Sequence, residues 1–138
     1  MPDGWQPIVP FEECFDAQYG LDVLGHDVEG DGVVRARVVV GEALHNHLGH
    51  VHGGVYAAAA EALASRGTAL VVMPDGYVAS GMSNDTSVLA DVSAGVLSFE
   101  ARLVARDDGA WLWTVDARDD DDRPCAHSRV TVAVRRLG

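Results

Sequence analysis

One run constrains this chain more than any other: "VYAAAAEALAS", Val55–Ser65, a block of strong helix formers set in a sequence that otherwise alternates in the manner of strands. Alanine, leucine and glutamate have the highest helix propensities, and no proline intervenes before Pro74. The spacing predicts one long helix over about 54–72. Gly67 weakens it slightly, and Pro74 with Asp75-Gly76 ends it. A helix faced largely with alanine lets neighbouring strands approach closely on several sides, so the run asks to be wrapped rather than merely covered.

The flanking segments supply the wrapping. In "GVLSFEARLVAR", Leu97, Phe99, Ala101, Leu103 and Ala105 fall on one face and Ser98, Glu100, Arg102 and Arg106 mainly on the other, the period of two of a half-buried strand. Asp108-Gly109 gives the turn chemistry of a hairpin. "WLWTVDAR" then places Trp111, Trp113, Val115 and Ala117 together. "AHSRVTVAV" aligns Ala126, Ser128, Val130, Val132 and Val134. These three strands form an antiparallel meander, and its acidic connection "DARDDDDR" reads as a solvated turn. Two more strands lie near "GVVRARVVV" before the helix and "YVASGMSNDTSVL" after it. The expected fold class is α+β: one long central helix in a curved antiparallel β-sheet.

The 138 residues suit a single domain, 1–138, with 48% hydrophobic and 22% charged residues. A formal net charge of −11 and the absence of lysine argue against nucleic acid and against anionic membrane as partners, since both call for a cationic surface. The stretch "MPDGWQPIVPFEE" lacks the basic and apolar regions of a signal peptide, and the apolar runs read as too short to span a bilayer. A cytoplasmic location follows as the expectation. Cys14 and Cys125, far apart and without a CxxC pattern, are read as free thiols.

Just before the helix stands "HNHLGHVHGG", His45–Gly54, with four histidines in eight residues. His45, His47 and His50 have the H-x-H-x-x-H spacing of a metal run, and three imidazoles with an open position can in principle bind zinc. Gly49, however, stands where the similar metallo-β-lactamase motif has its aspartate, and that fold needs a longer chain. A solvated loop is the plainer role for His45 and His47. From His52 onward, "HGG" leads into the helix, placing the Gly53 and Gly54 amides among its unpaired N-terminal donors, where an anion or a developing oxyanion is stabilised. Glu61 interrupts an otherwise burial-suited stretch, either as a functional carboxylate or as the wet face of an amphipathic helix. Ser65 follows one turn on, on the same face. Glu61 lies eight residues beyond Gly53, roughly 12 Å along a helix rising about 1.5 Å per residue. Both groups reach one reacting carbonyl only if a second copy brings its helix alongside in the antiparallel sense.

These spacings resemble the signature of the hotdog-fold acyl-CoA thioesterases of the phenylacetyl-CoA (PaaI-like) and 4-hydroxybenzoyl-CoA type, roughly [NQ]-x-x-G-x-x-HGG-x(6)-[DE]-x(3)-[ST]. Asn46, Gly49, His52, Gly53, Gly54, Glu61 and Ser65 occupy it, and the similarity runs from about Phe15 to Leu137. The resemblance implies a hotdog fold, homodimers that usually pair into tetramers, and hydrolysis of an aromatic or medium-chain acyl-CoA with no metal or other cofactor. It further implies Glu61 as base or nucleophile and the Gly53 amide as the group polarising the carbonyl. His52 and Asn46 would orient thioester and water, and Ser65 would assist. Gly54, Ser83, Asn84 and Thr86 are candidate contacts to substrate, with Arg102 and Arg106, read as outward on one strand, for the phosphates of CoA. Plain surface is the commoner role of such arginines, and core or interface the commoner role of Trp111 and Trp113. The sequence departs from some relatives at Val88 and Ala90, where they carry a polar residue or histidine. A hotdog hydratase or dehydratase and a non-catalytic acyl-CoA-binding module remain the alternative readings.

Overall fold

A computed structural model describes residues 6–137; the first five residues of the N-terminal stretch and Gly138 lie outside them. The elements are a short helix α1 (Phe15–Gln18), strands β1 (Asp22–Asp27) and β2 (Val33–Val39), the long helix α2 (Gly53–Val72), and strands β3 (Tyr77–Val88), β4 (Val96–Arg106), β5 (Ala110–Arg118) and β6 (Pro124–Arg136). The six strands form one antiparallel sheet in the order β1-β2-β4-β5-β6-β3. The β4-β5-β6 meander is as expected, and β3 closes one end of the sheet beside β6.

The sheet wraps α2, and the helix buries Tyr56, Ala59, Ala60, Leu63, Ala64 and Thr68 against it. Its alanines keep the strands close. Gly67 serves the same end, for a Cβ there would stand 2.5 Å from Trp113 Cη2 and 3.0 Å from Val34 Cγ2. Trp113 lies in that notch, fully buried, and its indole N–H donates to Thr68 Oγ1 at 3.0 Å while the Thr68 hydroxyl donates to the Ala64 carbonyl at 2.8 Å. The inner face of β6 is the expected set: Ala126, Ser128, Val130, Val132 and Val134 are all buried.

Three expectations need correction. β1 was not expected, because in "DVLGHD" only Val23 is even partly covered and no alternation shows. In β4 the pairing slips between Leu103 and Ala105, so Val104 is an extra residue; Ala105 turns outward, and Arg106 pairs with Trp111 on the inner side. A one-residue bulge flips every later side chain. The hairpin after β4 is where it was expected, and Asp107 caps it, its carboxylate accepting the amides of Gly109 and Ala110 at 2.9 and 2.8 Å. Finally, Gly53–Asp75, 23 residues, is by length and composition long and apolar enough to cross a bilayer, contrary to the reading that no run is. Its place as the wrapped core helix accounts for that apolarity.

Cys14 and Cys125 are free. The acidic turn is ordered around Asp119, which accepts the amides of Asp121 and Arg123 and the Arg123 guanidinium, each at 2.9 Å.

Candidate active site

The loop before α2 is pinned from within. Asn46 Oδ1 accepts the amides of Leu48 and His50 at 2.9 and 3.2 Å, and Gly49 supplies the left-handed conformation, φ +82°, that lets the chain turn back. His45 and Val51 then face each other in an antiparallel bridge, while the amides of Val51 and His52 donate to the carbonyls of Val92 and Leu44, both at 2.8 Å. Asn46 therefore closes the loop that delivers His52 and Gly53 to the helix start.

His52 caps that helix. Its Nδ1 accepts the Gly54 amide at 2.8 Å, which fixes Nδ1 as the unprotonated nitrogen and leaves Nε2 as the ring's donor. Gly53, the first helical residue, has no acceptor for its amide among the described residues, as the first turn of a helix requires. A donor at the positive end of a 20-residue helix is suited to a developing negative charge. The other imidazoles do not converge. His45 Nε2 lies 2.8 Å from the Ser93 carbonyl and His50 Nδ1 3.7 Å from the Asp91 carboxylate. Among the described residues no three His, Cys, Asp or Glu side chains gather as a metal site would need.

Glu61 is exposed, two turns along the helix, with Ser65 half-buried one turn further. The neighbour of this face is β3, whose Val88 lies at Gly53, Asn84 at Ala57 and Gly81 at Glu61. The middle contact is a hydrogen bond, Asn84 Nδ2 donating to the Ala57 carbonyl at 2.9 Å. Behind it runs a relay: the Thr86 hydroxyl donates to Asn84 Oδ1 at 2.7 Å and lies 2.7 Å from the hydroxyl of buried Ser128. Asn84 and Thr86 thus tie the strand to the helix. Ser83 faces the other way, opposite Thr131, by the ordinary alternation of a strand.

Arg102 and Arg106 do not form one patch. Arg102 pairs with Glu100 on the outer face, whereas Arg106, turned inward by the bulge, stacks on Trp111 with its guanidinium carbon 4.7 Å from the ring centre. Trp111 borders a cleft of about 590 Å³ shared with Val72, Tyr77 and Val134, at the opposite end of α2 from His52. Sequence reasoning passed over Tyr56, in the first turn of α2: its ring is buried, its hydroxyl has no partner among the described residues, and burial pushes its pKa up to about 12. It also passed over Gly81. The signal for both is three-dimensional.

One long helix wrapped by a six-stranded antiparallel sheet defines a hotdog protein. No family model matches the chain. A Mycobacterium tuberculosis protein carried under an esterase name is 33% identical over 118 residues, covering 84% of this chain and 82% of its own. Its solved structure superposes with a TM-score of 0.83 at 30% identity, covering 90% of this chain and 98% of that one. A mutant thioesterase from Pseudomonas aeruginosa gives a TM-score of 0.82 at 26% identity, over 88% and 85% of the two chains. A Listeria monocytogenes protein named 1,4-dihydroxy-2-naphthoyl-CoA hydrolase is 29% identical over 117 residues, 85% of this chain and 92% of its own. The chain belongs to the hotdog-fold thioesterase family, PaaI-like in type, and is a thioester hydrolase.

Proposed function

We propose that the thioester is an acyl-CoA with an aromatic or medium-chain acyl group, and that Glu61 is the catalytic carboxylate, acting across a dimer with the Gly53 amide of a second copy. The observation that supports this best is the pairing on one helix of an unpaired amide at its positive end with an exposed carboxylate. The Listeria relative's name, a naphthoyl-CoA hydrolase, favours an aromatic acyl group. Glu61 takes a proton from water, whose oxygen attacks the thioester carbonyl. The Gly53 amide donates to the resulting oxyanion, a class of contact worth about 10²–10³-fold in rate. Collapse breaks the C–S bond, and the CoA thiolate takes up the proton held by Glu61. In the alternative route Glu61 itself attacks and water opens the mixed anhydride. His52, through its Nε2 donor, and Asn46 orient thioester and water, Ser65 assists from the same helix face, and neither metal nor other cofactor takes part.

The second copy is expected along β3. That strand ends the sheet, so one of its edges is unpaired within the chain, and Met82, Val88 and Leu89 are exposed on or beside it. Joining two copies there sets the helices antiparallel; such dimers pair into tetramers, and the enzyme works in the cytoplasm. Thiol release measured over phenylacetyl-, benzoyl-, hydroxybenzoyl- and straight-chain acyl-CoAs, with chelator present, tests the reading. Wild type should turn over at least one aromatic or medium-chain ester, and Glu61→Ala should lose that turnover while staying folded, alanine being the best helix former. Equal rates in the two proteins would sink the role of Glu61, and loss of wild-type activity on adding chelator would return the histidine run to consideration as a metal site.

A further inference from the structure

We infer that Gly81 is a positioning residue for the Glu61 carboxylate, and that the bulge at Met82 exists to bring Gly81 and Asn84 together against the turn of α2 that carries it. This rests on the reading of Glu61 as the catalytic carboxylate. The carboxyl end of Glu61 lies on the Gly81 backbone: a Cβ at Gly81 would stand 2.7 Å from Glu61 Oε1, 2.8 Å from Cδ and 2.9 Å from Cγ. All three atoms are involved, so the crowding is not confined to a freely rotating tip. Gly81 has no left-handed conformation to explain the choice of glycine, since it is not among the glycines with positive φ. Close approach of a side chain is the remaining reason.

The bulge explains how the strand manages this. Gly81 pairs with Val132 and Asn84 with Val130, both buried, so both face the helix although they are three residues apart. In a regular strand, residues three apart face opposite ways. The extra residue, Met82, restores a common face, and bulges recur beside active sites for such re-aiming. Asn84 then bonds the Ala57 carbonyl, which in the helix ladder is also the acceptor for the Glu61 amide four residues on. Backbone and carboxylate of Glu61 are thereby referred to the same short piece of β3.

Gly81→Ala, Glu61→Asp, their combination and Glu61→Gln decide the matter through kcat, KM and thermal midpoint on the best CoA ester of the panel. Displacing the carboxylate by about 1 Å should lower kcat about 100-fold in Gly81→Ala with KM nearly unchanged. Aspartate, one methylene shorter, leaves room for the new Cβ, so adding Gly81→Ala to Glu61→Asp should cost little and the double variant should turn over about as fast as Glu61→Asp. Wild-type kcat in Gly81→Ala, or a double variant showing the full product of the two single losses, would overturn the inference. If Gly81→Ala does not fold, Gly81→Ala with Glu61→Ala is compared: recovered folding supports crowding by the carboxyl group, and continued failure overturns it. Wild-type turnover by Glu61→Gln would instead remove the catalytic reading itself, separately from any effect at Gly81.

Discussion

Replacing Gly67 by alanine puts two well-understood effects in opposition. In an exposed helix interior the change stabilises by about 1 kcal/mol, because glycine gives up more backbone freedom on folding. Here the added methyl would stand 2.5 Å from Trp113 Cη2, 2.8 Å from Cζ2 and 3.0 Å from Val34 Cγ2. The indole has no easy retreat: it is fully buried, and its N–H is held by Thr68, whose own hydroxyl is held by the Ala64 carbonyl. Overpacking of this kind costs about 1–3 kcal/mol, so the net change should be a destabilisation of up to about 2 kcal/mol. With a urea m-value of about 2 kcal/mol/M, a loss of 1 kcal/mol lowers the midpoint by about 0.5 M. Equilibrium urea unfolding measures it. Trp113→Phe removes the offending ring atoms, so adding Gly67→Ala to that variant should cost less than adding it to wild type. A higher midpoint for Gly67→Ala in the wild-type background would refute the packing argument.

Two further outcomes follow from polar groups outside the catalytic machinery. Tyr56→Phe removes a buried hydroxyl with no partner among the described residues, and should raise stability by about 1 kcal/mol in urea unfolding; an equal loss would show that the hydroxyl has a partner. The carboxyls of Asp119 and Asp107 are held below the usual range near 3.8, Asp119 first by the Arg123 amide and Asp107 first by the Gly109 amide. Their folded pKa values lie below the unfolded ones, so their stabilisation is present above about pH 4 and lost as pH falls through the folded values. The urea midpoint should therefore drop between pH 6 and pH 3, and drop less in Asp119→Asn. The same drop in the variant would remove Asp119 from the account.

What was legible in the sequence is what local periodicity controls. The helix announces itself through an unbroken run of helix formers, and α2 begins one residue before the expected Gly54. β6 announces its inner face because no bulge interrupts the alternation between Ala126 and Val134. The site motif was readable for the same reason: His52, Gly53, Glu61 and Ser65 lie on or beside one helix, where sequence spacing fixes spatial spacing. Bulges defeat this logic. Val104 and Met82 each add one residue to a strand, and nothing in their composition marks them; the first reverses Arg106 and the second puts Gly81 on the face of Asn84 and Thr86. β1 escaped notice for a third reason, that a strand paired on one edge and exposed on both faces needs no apolar pattern.

The position of Glu61 follows from the way the fold is closed. The sheet buries one side of α2 and leaves Glu61 exposed beside β3, the sheet's last strand. A carboxylate at one of the buried positions of α2, such as Ala59, Ala60 or Ala64, would lose its water without gaining a partner. Glu61 stays hydrated in the single chain, yet it lies next to the unpaired edge of a 12-residue strand. The open strand edge and the roughly 12 Å between Glu61 and its own helix start are the two features that the proposed two-fold dimer would resolve together.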